Sequence, residues 1–444
     1  MRAVPFGMLL VALTAGSLRA QALEDLLTDL FIFGQGDDPL FLGGSASSPN
    51  PAISVHGSHF IPSAVEGNAT IISFLTNSVS TSVSNIPVSA SSGGQTFRFE
   101  GATPVRTSIS GGPIYAERAQ TLGRGRLFVN LSRTGLHYKT LRGVPLDQVE
   151  LVFTHANVDF EGCDEVVGGD CSLYGVPVLE NETINFTLGL DMNVNVTSFL
   201  LTYGVTNRID FGMVIPFVST SLTGTSEATI IPFESGDMPA HFFAGTPEDP
   251  VFTASRFTQG SSSGLGDVSA RAKVNLRDAT PVSVAVLADG RFPTGSEEEL
   301  RGSGAVALRG LAIISARFGE FSPHANVGYQ YRGAELDPDV FLITAGFDQL
   351  LAPWATLAAD IISEFPVGTT EIPVPQDVVL ESPFRREVRT SSIPDRRDDI
   401  VAASFGMKLT IPQAVTFVGN AVFPLNRGGM RADVLWSVGA EYAF

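Results

Sequence analysis

The sequence predicts an all-β protein whose strands close into a transmembrane antiparallel β-barrel. Three observations indicate this fold: long segments with an apolar residue at every second position, connections that alternate between short and long, and an apolar composition without a membrane-spanning helix. Hydrophobic residues make up 44% of the 444 residues and charged residues only 17%. Beyond residue 22, however, the chain has no apolar run of roughly 18 residues, the length that a transmembrane helix needs.

The longest alternating segment begins at Thr183. Its apolar positions are all even, at Ile184, Phe186, Leu188, Leu190, Met192, Val194 and Val196, and the residues between them are polar or glycine. Only a β-strand places such residues on one face. The same alternation recurs at 267–277, 324–332 and 434–444. Strands of about 9–11 residues are typical of membrane barrels, whereas strands of soluble sandwiches usually have about 5–6.

Thirteen such strands can be placed between residue 126 and the C-terminus. Short links, such as Thr206-Asn207, alternate with longer ones, such as 219–264, as in outer-membrane barrels with short periplasmic turns and longer outer loops. Because single-chain bacterial barrels have even strand numbers, one more strand is needed, and 95–109 is the best candidate. We therefore expect fourteen strands, with twelve as the alternative if 126–158 is not wholly embedded in the membrane.

The N-terminal residues predict export and a separate segment before the barrel. Residues 1–22 combine Arg2, a short apolar stretch and the A-x-A cleavage site Ala20-Gln21-Ala22, which is the pattern of a signal peptide. The alternative is a buried N-terminal helix. Residues 23–94 are rich in Ser, Gly, Pro and Asn with a short helical pattern. We interpret them as a hatch or plug in the lumen, the alternative being a disordered periplasmic tail, and assign 95–444 to the barrel.

Composition excludes several other classes of protein. The chain has 46 acidic and 28 basic residues, a net charge of −18, which argues against nucleic-acid binding. Two cysteines exclude a disulfide scaffold and a cysteine-rich metal protein. In an exported protein, we expect Cys163 and Cys171 to form a disulfide. No cofactor is expected.

Three stretches carry a resemblance to a known family: "GPIYAERAQTLGRGRLFVNLS" at 112–132, "LLTYGVTNRIDFGMVIPFV" at 200–218 and "GLGDVSARAKVNL" at 264–276. They resemble the MetA-pathway phenol-degradation family, outer-membrane barrels similar to the FadL-type transporters of hydrophobic compounds. The resemblance implies a monomeric fourteen-stranded barrel through which hydrophobic or aromatic molecules cross the outer membrane. The C-terminal Tyr442-Ala443-Phe444 also looks like the aromatic-terminated signal of the barrel-assembly machinery.

Strand phase predicts which side chains line the lumen. The candidates carry both signs of charge, and they are Arg271, Lys273, Asp289, Arg291, Arg309, Arg317, His324, Arg332, Asp360 and Glu364. They form a polar constriction for the cargo or simply pair with one another, as any barrel interior requires. Phe186, Phe211, Phe347 and Phe405 are expected on the lipid face. Five phenylalanines in the loop 219–264, among them Phe243, Phe252 and Phe257, indicate a binding site or a packed loop core.

One strand contains an apparent change of face. The apolar positions between Thr183 and Val205 are even up to Val196 and odd from Phe199 onwards. A strand with period two changes face only through an extra residue, so a β-bulge is predicted near Thr197 and Ser198. The bulge either re-aims a strand that projects above the membrane or opens a lateral gate for a hydrophobic cargo.

These patterns favour a channel for passive uptake of small hydrophobic or aromatic compounds across the outer membrane. A polar lipopolysaccharide layer resists apolar solutes, and no nucleotide-binding motif suggests energy coupling. The alternatives are a general water-filled porin and, less favoured, an outer-membrane hydrolase or a structural barrel. The histidines lack the metal-site spacing H-E-x-x-H, so no enzymatic activity is expected. The expected partners are the hydrophobic cargo and the surrounding lipid and lipopolysaccharide.

Overall fold

The computed structural model describes residues 22–31, 33, 97–100, 103–106, 111–154, 182–232, 243–246, 249–333, 338–368, 377–380, 385–411 and 415–444. The signal peptide, the Cys163–Cys171 disulfide and most of the hatch 23–94 therefore lie outside the described residues, and these expectations stay predictions. Within the described part, no helix is long and apolar enough to cross a bilayer.

Twelve consecutive antiparallel strands form a closed barrel within the described residues. In chain order they are β1 (Leu127–Leu141), β2 (Thr183–Gly204), β3 (Ile209–Ile231), β4 (Ser269–Arg277), β5 (Val282–Arg291), β6 (Ala307–Ala316), β7 (Phe321–Arg332), β8 (Val340–Ala352), β9 (Ala355–Pro366), β10 (Ile400–Thr410), β11 (Thr416–Pro424) and β12 (Leu435–Ala443). Each strand pairs with the next along the chain, and β12 pairs with β1 to close the ring.

The expected count of fourteen is not met, and the alternative of twelve agrees with the structure. The candidate strand at 95–109 forms a small hairpin of its own, in which Phe97–Glu100 pairs with Thr103–Arg106. Val149–Thr154, counted as a strand from the sequence, pairs with the upper end of β2 and forms a single bridge from Leu151 to Ser391, and it is not one of the twelve strands of the ring. The stretch 126–158 thus supplies one barrel strand, β1, because its second strand lies beyond the barrel wall.

The remaining short strands lie at the end of the barrel that carries the long connections. Thr253–Leu265 is the largest, and it pairs with the upper half of β3. The others are Val144–Pro145, Ala244–Thr246, Asp249–Val251, Val378–Leu380, Arg386–Val388 and Met430–Ala432. At the opposite end, β8 and β9 are joined by two residues and β2 and β3 by four. In outer-membrane barrels the short turns are periplasmic, which places the long connections outside the cell.

The outer face of the barrel carries an apolar band. Large exposed apolar side chains occupy alternate positions, as on β3 with Phe211, Met213 and Phe217. Exposed aromatic residues lie near both ends of the wall, at Phe318, Phe321, Trp354, Tyr442 and Phe444 beside the short turns and at Phe292, Tyr329, Tyr331 and Trp436 beside the long connections. An apolar band flanked by two aromatic girdles is the surface that a lipid bilayer requires of a barrel.

The predicted bulge at Thr197 and Ser198 is wrong. Residues 192–203 of β2 pair without a register shift with β1 on one side and, over the whole strand, with β3 on the other. The even positions stay buried from Ile184 to Gly204. Since the ladder is unbroken, the lateral gate based on the bulge also fails.

The hydrophobic pattern inverts along β2 while the strand keeps its face. Below Thr197 the outward residues are apolar, such as Phe199, and above it they are polar, with the apolar ones inside. The same inversion occurs on β1 at Arg133 and on β3 at Phe217, the two residues that pair with Thr197. All three strands therefore leave the bilayer at one level, above which water lies outside and a protein core lies inside.

Above this level the strands enclose what we call the outer section: residues 134–154, 183–196, 218–231 and 253–265 together with helix α1 (Leu23–Asp29). Its interior is the largest apolar core among the described residues. Phe186, expected on the lipid face, is 1% exposed in this core, because β2 at this height has already left the membrane. Phe211 and Phe405 face outward at 56% and 55% exposure, as expected.

Helix α1 is held in the outer section by its leucines and by Leu30, which directly follows the helix. Leu23, Leu27 and Leu30 are each at most 1% exposed. Its axis comes so close to the wall that a Cβ atom on Gly224 would lie 2.5 Å from Leu30 and one on Gly260 would lie 2.4 Å from Leu26. A helix of seven residues is unstable alone in water, so burial of these side chains, each contributing about 1.5–3 kcal/mol, accounts for its position.

Candidate functional site

A segment without regular structure, residues 111–126, lies inside the barrel near its periplasmic end; we call it the lumen segment. Its residues contact inward-facing groups on strands all around the ring. Gly111 N–H donates to Thr356 of β9 at 2.9 Å, Tyr115 Oη to Ser437 of β12 at 3.0 Å, and Leu122 N–H to Asp210 of β3 at 2.9 Å. The sequence analysis included this stretch in the barrel domain 95–444 without assigning a strand to it, and the structure places it inside the ring, where it fills the lumen.

Glu117 is the centre of the first charge cluster. Its carboxylate lies 3.5 Å from Arg271 Nη1 and 3.5 Å from Lys273 Nζ on β4. Arg271 also contacts Asp289 of β5 at 3.2 Å, and Asp289 contacts Arg309 of β6 at 3.2 Å. Four of the predicted lumen residues are therefore linked through one carboxylate of the lumen segment.

Arg118 is the centre of the second cluster. Its Nη2 atom lies 2.7 Å from Asp348 Oδ2, and both side chains are at most 5% exposed. The predicted lumen residue His324 lies between two carboxylates, with Nε2 at 2.7 Å from Asp360 and Nδ1 at 3.7 Å from Asp348. Removing one partner from such a buried pair is strongly destabilising, so these contacts fix the lumen segment in place.

Of the other predicted lumen residues, Arg291 interacts electrostatically with Asp289 of the first cluster, and three lie near strand ends. Arg332 and Glu364 form an ion pair of 3.0 Å near the outer ends of β7 and β9. Arg291 is the last residue of β5, and Arg317 lies in the turn after β6, where its N–H donates to Pro281 O at 2.9 Å. The ten candidates thus do not form one constriction: seven, including Arg291, interact within the two clusters, and Arg317, Arg332 and Glu364 lie near strand ends.

Sequence reasoning missed Glu117, Arg118 and Asp348. The first two interrupt a run of small and apolar residues between glycines, and Gly112 and Gly123 adopt positive φ angles of 86° and 93°. Charged residues in a segment without regular structure indicate a buried loop only when the surrounding strands are already known. Asp348 lies near the end of β8, four residues before Ala352, where the phase of a strand is difficult to assign from the sequence.

The outer section contains an aromatic cluster above the lumen. Phe31 stacks on Phe186 with ring centroids 4.8 Å apart, and Phe153 meets the edge of the same ring at 5.7 Å. Phe33 and Phe252 are only half-buried where they pack against this core, so the cluster reaches the surface. Phe243 is buried within it and Phe257 is exposed, which makes part of the predicted aromatic loop a packed core.

These features define the class of protein: an outer-membrane β-barrel whose lumen is occupied by its own chain. Residues 175–345 match the family described as "Putative MetA-pathway of phenol degradation". The resemblance predicted from the sequence is thereby confirmed over this stretch. No curated protein matches the sequence.

Several solved structures are similar in architecture at low identity. The COG4313 outer membrane channel from Pseudomonas putida F1 is 10% identical, with 73% of this chain and 98% of that chain covered and a TM-score of 0.40. The CymD monoaromatic hydrocarbon channel is 8% identical, with 72% and 89% covered and a TM-score of 0.33. A Pseudomonas aeruginosa FadL homologue is 10% identical, with 72% and 89% covered and a TM-score of 0.29.

Proposed function

We propose that this protein is a channel for the passive uptake of small hydrophobic or aromatic compounds across the outer membrane. The observation that carries the proposal is the apolar interior of the outer section, which reaches the surface at Phe33 and Phe252. Burial of apolar surface is favourable by roughly 25 cal/mol per Å². A small apolar solute that meets this cluster outside the polar lipopolysaccharide layer therefore gains free energy by entering the protein.

The lumen segment favours this function over a general porin. A porin has a water-filled lumen, whereas here Glu117, Arg118 and Leu122 are buried against opposite walls. Such a lumen conducts few ions until the segment moves. The match of residues 175–345 to the family supports the same class of cargo, because the description of that family names the degradation of phenol.

Uptake of labelled toluene by intact cells tests the proposal. The host lacks its own hydrocarbon channels, and we expect cells that display this barrel to take up toluene several-fold faster than cells with an empty vector. Equal rates in the two strains would show the proposed function to be wrong.

A matched pair of variants links uptake to the aromatic cluster. Phe252→Asp places a charge at the half-buried edge of the cluster and should slow toluene uptake. Phe257→Asp changes the same residue type five positions along the chain, at a side chain that is 64% exposed, and should leave uptake unchanged.

A further inference from the structure

One part of the lumen wall differs from the charged wall described above. On β1, on the membrane-embedded part of β2 and at Ser437 of β12, buried residues of the inner face carry hydroxyl or amide groups, and we call this set the neutral wall: Asn130, Ser132, Thr134, Ser198, Thr202 and Ser437. They are neighbours in register, since Ser132 pairs with Ser198 and Thr134 pairs with Ser437. Glu441, a charged inner-face residue of β12, pairs in register with Asn130 and is neutralised by Lys408 at 2.9 Å.

Asn130 is the residue of this wall whose burial requires an explanation. Its side chain is 1% exposed, and neither Oδ1 nor Nδ2 has a hydrogen-bond partner among the described residues. The Oγ1 atom of Thr202, also 1% exposed, is likewise without a partner there. A buried polar group without a partner is unfavourable and is rare in native proteins. Two of them on adjacent strands of one wall indicate a place where a bound molecule supplies the missing bonds.

The neutral wall adjoins both the apolar outer section and the lumen segment. On its upper side, Thr134 pairs with Val196, a member of the apolar core. The lumen segment contacts it at two levels: Tyr115 bonds to Ser437, the residue paired with Thr134, and Leu122 shares an apolar cluster with Leu200, the residue paired with Asn130. A solute that descends from the outer section therefore meets this wall beside the lumen segment.

We propose that Asn130, assisted by Thr202, is a hydrogen-bonding site for uncharged, mainly apolar solutes that carry one hydroxyl or carbonyl group. An asparagine amide both donates and accepts hydrogen bonds, so it binds either group. A solute reaches this site through the apolar outer section, which favours a mainly apolar molecule. No unpaired charge of the neutral wall attracts an ionic cargo. This inference rests on the proposed function and adds its substrate class.

Uptake of two solutes of nearly equal shape tests the inference. Benzyl alcohol and ethylbenzene differ by a hydroxyl in place of a methyl group, and their uptake rates are measured in porin-deficient cells that display the barrel. Loss of one hydrogen bond should lower the alcohol-to-hydrocarbon ratio in Asn130→Leu by about threefold to tenfold. Thr202→Val keeps the side-chain shape and should lower the ratio in the same direction.

Asn420→Leu provides the matched control. Asn420 is a buried asparagine on the inner face of β11, and its amide already bonds to Ser404 at 3.1 Å, so its loss should leave the ratio unchanged. Heat-modifiable gel mobility identifies the variants that fold. Folded Asn130→Leu and Thr202→Val proteins with the wild-type ratio would overturn the inference while leaving the channel function intact. A wild-type barrel that speeds the entry of neither solute would overturn both.

Discussion

At the scale of single residues, the lumen segment depends on a few buried ion pairs. Arg118 and Asp348 are nearly inaccessible to water, so each group relies on the other for compensation of its lost hydration. Glu117 has the same relation to Lys273 and Arg271. The strength of these contacts determines how firmly the lumen is filled.

Arg118→Ala should loosen the lumen segment and raise ion conductance. The substitution leaves Asp348 buried without its guanidinium partner, which should destabilise docking of the segment by about 3–5 kcal/mol. Single-channel recordings in planar bilayers measure the effect as larger or more frequent openings. Arg124→Ala is the control, because Arg124 lies in the same segment with an exposed side chain; equal conductance of the two variants would contradict the role given to Arg118.

The wall residues of this site were predictable and the segment residues were not. Period two fixes the face of each residue once a strand is recognised, so Arg271, Lys273 and His324 could be assigned to the lumen from the sequence. Glu117 and Arg118 lie in an irregular run, and irregular backbone has no period from which a direction follows. Their positions depend on contacts with strands more than 150 residues away.

At the scale of elements, β2 and β3 each cross two environments. The lower parts face lipid on the outside, and the upper parts face water outside and the core inside. The sequence showed the change of apolar phase correctly, but the interpretation as a bulge assumed that apolar residues face the same side throughout. Where a strand leaves the membrane, its outer face passes from lipid to water and its inner face passes from a polar lumen to an apolar core. The apolar residues therefore change face although the strand itself stays regular.

Two arginine substitutions on β3 locate the membrane boundary. Met213→Arg places a charge on the outer face in the middle of the apolar band, which should destabilise the folded barrel by about 2–4 kcal/mol. Ser221→Arg lies on the same face beyond Phe217 and should cost about 0–1 kcal/mol. Urea-dependent folding into lipid vesicles measures both values, and equal destabilisation would show that the boundary is misplaced.

Docking of α1 should strengthen as the pH falls. Burial raises the pKa of the Glu24 carboxyl above its ordinary value of 4.5, and the carboxylates of Glu297, Asp25 and Glu298 raise it further. Burial and nearby carboxylates also raise the pKa of Glu297. Since the docked helix binds these protons more tightly than the detached one, their contribution to docking is complete below the ordinary pKa of 4.5 and is lost as the pH rises through the raised pKa values.

Hydrogen exchange of the amides of residues 23–29 measures this effect. Protection, corrected for the intrinsic rate, should increase from pH 7 towards pH 5 in the wild type. In the double variant Glu24→Gln, Glu297→Gln the increase should be much smaller. If protection in the double variant depends on pH as strongly as in the wild type, groups other than Glu24 and Glu297 cause the pH dependence.

At the scale of the whole molecule, closure of twelve strands separates two interiors. The membrane-embedded part is lined by paired charges and hydroxyls and is filled by the lumen segment, and the outer section is lined by apolar side chains around α1. Fold class and outer-membrane location followed from the strand pattern. The strand number did not, because a pattern of period two does not distinguish a barrel strand from one paired beyond the ring, such as Val149–Thr154.

The central claim, a channel for hydrophobic solutes, is tested most directly with vesicles whose outer leaflet is lipopolysaccharide. The rates at which toluene and glucose enter are compared with and without the inserted barrel. The structure predicts that the barrel accelerates toluene entry several-fold and leaves glucose entry unchanged, because the outer section is apolar and the lumen segment fills the aqueous path. Accelerated glucose entry with unchanged toluene entry would contradict the account and identify a general porin.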